Sequence, residues 1–226
     1  GRIRRSIRAG VEALDDSLAD DGLPEPCQNL WENMIGRFTH TAATFLQAYA
    51  TVAAAPVDAN LSGHAESQAG VILGRLDQLW DDDREAYTLG YRGGELDTRL
   101  DSGTFALVEA LAAYDRIEPL SDDAISRLKS HVETALDGLY REPVGGDDGI
   151  AGLIRFEDDT WRSAEQDSEK LWSISTAWGA HAAAELSALL DDHDKPDAAD
   201  VFLRRATGLY ERLHIDGPFC TEAGYL

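Results

Sequence analysis

The chain has 226 residues, 43% hydrophobic and 8% aromatic, enough to bury one large core or two small ones. Its net charge of -22 comes from 26 Asp and 16 Glu against 17 Arg and 3 Lys, which makes nucleic acid and anionic membrane poor partners. No stretch approaches eighteen apolar residues and the N-terminus lacks the apolar core of a signal peptide, so a soluble chain is expected, cytoplasmic or secreted.

Apolar periodicity and helix breakers predict seven helical segments: residues 3–19, 33–55, 62–80, 103–115, 122–140, 173–191 and 196–213. In the fourth, Phe105, Leu107, Val108, Leu111 and Ala112 recur at helical spacing; in the fifth, Ile125, Leu128, Val132 and Leu136 do the same. Pro56, Pro119 and Pro196 sit in short connections, where a ring that cannot continue a helix ends one element and starts the next. No convincing strand alternation is read. The connections alternate, long after the first, third, fifth and seventh segments and short after the others. If successive helices are antiparallel neighbours, every long loop emerges at one end. The fold class expected is therefore all-α: an (α/α) toroid of helical hairpins around a cavity, incomplete at seven helices.

Long loops in compact domains usually carry function. The first holds Trp31 and Glu32, where a Pro-rich stretch from Gly22 to Gln28 gives way to the second helical segment. A carboxylate beside an indole suits sugar chemistry: the indole offers an apolar face to a pyranose, and the same wall raises the carboxyl pKa toward that of a general acid. A core Trp at a helix start is the bland alternative. The richest loop runs from Gly145 through Arg155, Phe156, Asp158, Asp159 and Trp161 to Trp172. Arg presents a planar fork suited to vicinal hydroxyls, and Trp172 can stack on a sugar face. Equally, Arg155 could pair with Asp158 or Asp159 merely to order the loop.

Other patterns carry less. Gly145 to Gly149 lacks the spacing of a calcium loop and reads as a turn; the six histidines form no metal pair at helical spacing, and His40 and His181 read as core residues. The acidic runs at Asp81 to Asp83 and Asp191 to Asp194 read as solvated surface. Cys27 and Cys220, the only cysteines, read as two inert thiols rather than a pair. The Asp excess and Lys scarcity fit a surface adapted to high salt, where counterions screen self-repulsion. Neither a cofactor nor a metal is implied.

The run Asn29, Leu30, Trp31, Glu32, followed by Gly36, Phe38 and Thr39, resembles the general-acid segment of glucoamylases in glycoside hydrolase family 15. The run Arg155, Phe156, Asp159, Thr160, Trp161, with Trp172, Ser175 and Thr176 beyond, resembles a second motif of that family, and Leu100, Asp101 and Ser102 are similar to a third. The resemblance covers most of the chain from Gly22 to Tyr225. It implies a hydrolase releasing glucose from the non-reducing ends of α-linked glucans or maltooligosaccharides with inversion. Glu32 would be the general acid. Trp31, Arg155, Trp172, Asp159 and Asp101 would shape the substrate pocket, with Asp159 ordering the Arg loop. Asn33 stands where the family has a second Glu and could hydrogen-bond a hydroxyl of the leaving ring without charge.

Inversion needs a second carboxylate about 6.5–9.5 Å from the acid. The resemblance puts that base just beyond Leu226, with Glu222 a poor substitute, and an Arg-Asp pair before Gly22 has no match. The chain, which also lacks an initiator Met, is thus expected to be one barrel domain truncated at both ends and inactive alone. A trehalase- or dextran-type glycosidase, another glycosidase or lyase on a similar toroid, and a non-catalytic saccharide-binding helical protein are the alternatives.

Overall fold

A computed structural model describes residues 1–142, 151–160, 169–213 and 223–224. The described residues contain seven α-helices: α1 (Arg2–Asp15), α2 (Thr39–Ala54), α3 (Ala59–Leu73), α4 (Ala106–Asp115), α5 (Asp122–Leu139), α6 (Ser173–Asp192) and α7 (Pro196–Tyr210). Each falls inside or close to a segment read from apolar spacing. Local signals explain several boundaries. The Asp58 side chain accepts from the Leu61 N–H at 3.1 Å and caps α3, while Pro196 occupies the first turn of α7, where no N–H is needed. On α2, Ala42, Ala43, Leu46, Tyr49, Ala50 and Ala53 are buried at helical spacing.

The all-α toroid expected from the sequence is overturned. The described residues also hold ten short strands in antiparallel sheets: β1 (Cys27–Gln28), β2 (Ile35–Phe38), β3 (Trp80–Asp81), β4 (Ala86–Tyr87), β5 (Gly90–Arg92), β6 (Glu95–Asp97), β7 (Tyr140–Arg141), β8 (Gly152–Leu153), β9 (Leu171–Trp172) and β10 (Ala223–Gly224). The fold is a mixture of α and β. The physical reason is backbone satisfaction: long connections that run over buried surface must pair their N–H and C=O groups, and here they pair in strand ladders. The second helical segment, expected from residue 33, accordingly starts only at Thr39, because Ile35–Phe38 pairs as a strand instead.

The chain forms two compact units, the first comprising Gly1–Asp81, Tyr87–Thr98 and Ala106–Ala124, the second Asp82–Ala86, Arg99–Phe105 and Ile125–Leu226. In the first, α2 packs against α3 and α4, beside a four-stranded sheet of order β1-β2-β5-β6. Gly90 stands opposite Phe38 in that sheet with φ +141, and a Cβ there would strike the Arg37 carbonyl, so only glycine permits the β2–β5 pairing. Asp15, at the end of α1, accepts from the Tyr49 hydroxyl at 2.8 Å and meets His64 Nε2 at 2.8 Å, tying α1 to α2 and α3. The tie takes the Tyr49 proton out of play, because burial first and the Asp15 hydrogen bond second push the phenol upward.

In the second unit α6 and α7 form a hairpin. A Cβ on Gly179 of α6 would lie 2.5 Å from Leu153, 3.1 Å from Leu136 and 3.5 Å from Leu209, so this glycine sets the distance at which β8, α5 and α7 meet. Also on α5, His131 is fully buried. Burial disfavours its charged form and holds it down at about 4, against a smaller upward pull from a hydrogen bond to the Thr104 backbone. The folded pKa lies below the unfolded one, so the stability contributed is complete above the unfolded value and is lost as pH falls toward the folded one. From an ordinary histidine near 6.5 to about 4, the loss should be about 3 kcal/mol. Denaturant titrations between pH 7 and 4 on the native chain and a His131→Gln variant should show that the variant lacks this part of the slope. Parallel slopes would mean that His131 gains its proton without cost.

Candidate active site

Arg155, Asp159 and Trp172 converge in the second unit. Arg155 follows β8, and Trp172 is the last residue of β9, turning directly into α6. The Arg155 Nε and Nη2 donate to the two carboxylate oxygens of Asp159 at 2.7 and 2.8 Å, a bidentate fork, and the guanidinium carbon lies 4.4 Å from the Trp172 ring centroid. The same carbon lies 5.3 Å from the Phe156 ring. Arg155, Asp159 and Trp172 expose 6%, 6% and 4% of their surface, so this is a buried ion pair laid on an indole rather than a surface contact. Of the two acids that the sequence left open as partners, Asp159 makes the bond. Asp158 instead takes a left-handed backbone, φ +57, which turns the chain between Glu157 and Asp159.

Asp101 lies beside this cluster and is 3% exposed. It bridges Phe156, and its Oδ1 accepts from the Gly103 N–H at 2.8 Å, opening a single turn of 3-10 helix over Ser102–Phe105. The neighbouring Ser102 N–H donates to the Arg155 carbonyl at 2.7 Å, and its hydroxyl meets that of Ser175 at 2.9 Å. The turn that Asp101 opens thus brings the Ser102 N–H to the Arg155 carbonyl.

Glu157 was not singled out in the sequence. Its carboxylate takes Arg84 Nη1 and Nη2 at 2.6 and 2.7 Å and the Leu100 N–H at 2.8 Å, while its own N–H donates to the Leu100 carbonyl at 3.1 Å. Burial pushes its carboxyl up, but the Arg84 and Leu100 hydrogen bonds and the charges of Arg84 and Arg141 outweigh burial and hold it below the usual carboxylate range. Arg84 and Glu157 are 73 residues apart, so no local spacing announces the pair.

Trp31, Glu32 and Asn33 belong to the first unit. They form the tip of the β1–β2 hairpin, whose register is Cys27 opposite Gly36 and Gln28 opposite Ile35. Asn29 organises the tip: its N–H donates to the Met34 carbonyl at 2.9 Å, its Oδ1 accepts from the Asn33 and Met34 N–H groups at 3.0 and 3.2 Å, and its Nδ2 donates to Asn33 Oδ1 at 3.0 Å. The carboxamide that the sequence offered to a substrate hydroxyl therefore already accepts a loop hydrogen bond. The Glu32 carbonyl accepts from Gln28 Nε2 at 2.8 Å, and Glu32 itself has φ +56, a left-handed conformation that costs a side-chain-bearing residue about 1–2 kcal/mol. Strain of this sort persists where surroundings over-determine the backbone. The Glu32 side chain is exposed and Trp31 half-buried, so the apolar wall expected around the carboxyl is not closed over it.

No known family's sequence pattern matches the chain. No curated protein matches it either. Among the described residues no group of three His, Cys, Asp or Glu is placed to hold a metal ion, and no helix is long and apolar enough to cross a membrane. Cys27 is a free thiol 3.4 Å from the Thr41 hydroxyl. Cys220, Trp161, Glu222 and the Gly145–Gly149 turn lie outside the described residues.

Proposed function

We propose that this chain carries the general acid and the Arg-Trp element of a glucoamylase-like glycoside hydrolase, one that releases glucose from the non-reducing ends of α-linked glucans with inversion. The observation that supports this reading best is the Arg155 cluster. A guanidinium gripped on one edge by Asp159 and laid on Trp172 is a rigid element assembled from residues that the family resemblance names, 17 positions apart in the chain. In this reading Glu32, protonated, gives its proton to the glycosidic oxygen as the bond to the anomeric carbon breaks. Water attacks that carbon from the opposite face and loses its proton to a second carboxylate. Trp31 would cover the sugar face, and the strained backbone at Glu32 would hold the acid in place.

The test is the anomer formed. Maltotriose incubated with the complete gene product and followed by proton NMR should give β-glucose first, with the α-anomer appearing only as mutarotation proceeds. Initial α-glucose would overturn inversion. The exposed Glu32 side chain favours a second reading, a non-catalytic saccharide-binding protein. Saturable maltotriose binding with no glucose released would give that reading the lead.

A further inference from the structure

A cavity of about 500 Å³ opens on the first unit, at the foot of the hairpin that carries Glu32, and falls in the size range of small-molecule sites. Its walls include Asp21, Ile35, Arg37, Gln78, Tyr91 and the Gly93–Gly94 turn. Their chemistry restricts the ligand. Arg37 is committed to Asp21 and Pro24: Nη1 donates to Asp21 Oδ2 at 2.7 Å, Nη2 reaches Asp21 Oδ1, and Nε donates to the Pro24 carbonyl at 2.9 Å. Its charge is cancelled by the acid it holds, so the wall offers an anion no uncommitted cation, and the chain's charge of -22 repels anions further. Asp21 spends acceptor capacity on Arg37 and the Leu23 N–H, yet 41% of its side chain remains exposed, with room for a hydroxyl donor.

The remaining walls mix apolar and polar surface. Ile35 is 66% exposed, an apolar face with water on it. The Tyr91 hydroxyl donates to the Gln78 backbone carbonyl at 3.0 Å, which fixes the phenol and leaves the Gln78 carboxamide to a ligand. Gly93 and Gly94, with φ +60 and +89, make the two-residue turn between β5 and β6, and a Cβ at either would meet nothing within 4 Å. The turn leaves the mouth open.

We propose that this cavity is a saccharide-binding subsite for a neutral glucan, separate from the Glu32 loop and built from Asp21, Gln78, Tyr91 and Ile35. The preference for a neutral polyhydroxyl ligand rests on the walls; the choice of glucan rests on the hydrolase reading above.

The test uses the full chain, labelled with nitrogen-15 and titrated with maltotriose. Saturable shifts are expected at the amides of Ile35, Gly36, Tyr91, Gly93 and Gly94. Asp21→Asn and Gln78→Ala should each weaken that binding by about tenfold. The second variant keeps the backbone carbonyl that anchors Tyr91, so it remains informative if the first disturbs folding. Glucuronate should bind at least about tenfold more weakly than glucose, because its charge meets a wall whose one arginine, Arg37, is already paired with Asp21. Shifts confined to residues 31–33 and to Arg155 would overturn the subsite and leave the hydrolase reading standing. Shifts at the cavity without hydrolysis by the complete gene product would support the subsite and count against the hydrolase. Absence of saturable shifts at the cavity amides, or equal affinity for glucuronate, would overturn it.

Discussion

Asp159→Ala should cost about 3–5 kcal/mol of stability, because it removes from a guanidinium that is 6% exposed the carboxylate that grips it through two hydrogen bonds. In a chain of this size that is a fall in Tm on the order of 10 °C. The double variant Arg155→Met, Asp159→Ala should recover most of the loss, since a flexible apolar side chain then occupies the space over Trp172 and neither charge of the pair is left buried. Calorimetry on both variants checks the argument. A single variant that loses less than about 1 kcal/mol would mean that the Trp172 and Phe156 faces carry the charge by themselves, and that Asp159 is not what holds Arg155.

Glu32→Gln should lower turnover of maltotriose by the complete gene product by about 10²–10⁴-fold while leaving substrate affinity near the native value. Gln is nearly isosteric, retains the backbone carbonyl that accepts from Gln28, and suffers the same left-handed strain at φ +56. Only proton donation is lost. Glu32→Gly removes the strain as well and should raise stability by about 1 kcal/mol, separating the cost of the conformation from the value of the acid. Near-normal turnover in the Gln variant would remove Glu32 from the mechanism.

The helices were legible because each repeats its apolar spacing over several turns, as Ile125, Leu128, Val132 and Leu136 do on α5. The strands were not. Nine of them span two or three residues, too short for a period of two to appear, and the longest, Ile35–Phe38, interrupts its alternation with a glycine required by close approach to the Tyr91 carbonyl. Read without its partner strands, that segment looks like the start of α2. The Arg155–Asp159 pair was within reach because the two are only four positions apart. Asp101 was singled out for substrate, yet its Oδ1 holds the Gly103 N–H, a local turn that composition does not distinguish from a ligand contact. Arg84 and Glu157 were invisible, since their meeting depends on two distant segments being brought together by the fold.

The division into units has a consequence for how the molecule is made. The chain passes from one unit to the other five times, after residues 81, 86, 98, 105 and 124, so no single cut releases either unit as a continuous polypeptide. Arg99–Phe105 belongs to the second unit but is synthesised before nearly all the rest of it. The Ser102 N–H must wait for the Arg155 carbonyl, 53 residues later by numbering, which at about 5–20 residues per second is roughly 3 to 10 seconds on the ribosome. During that interval the Ser102 N–H and the Asp101 bridge to Phe156 have no partner on the nascent chain.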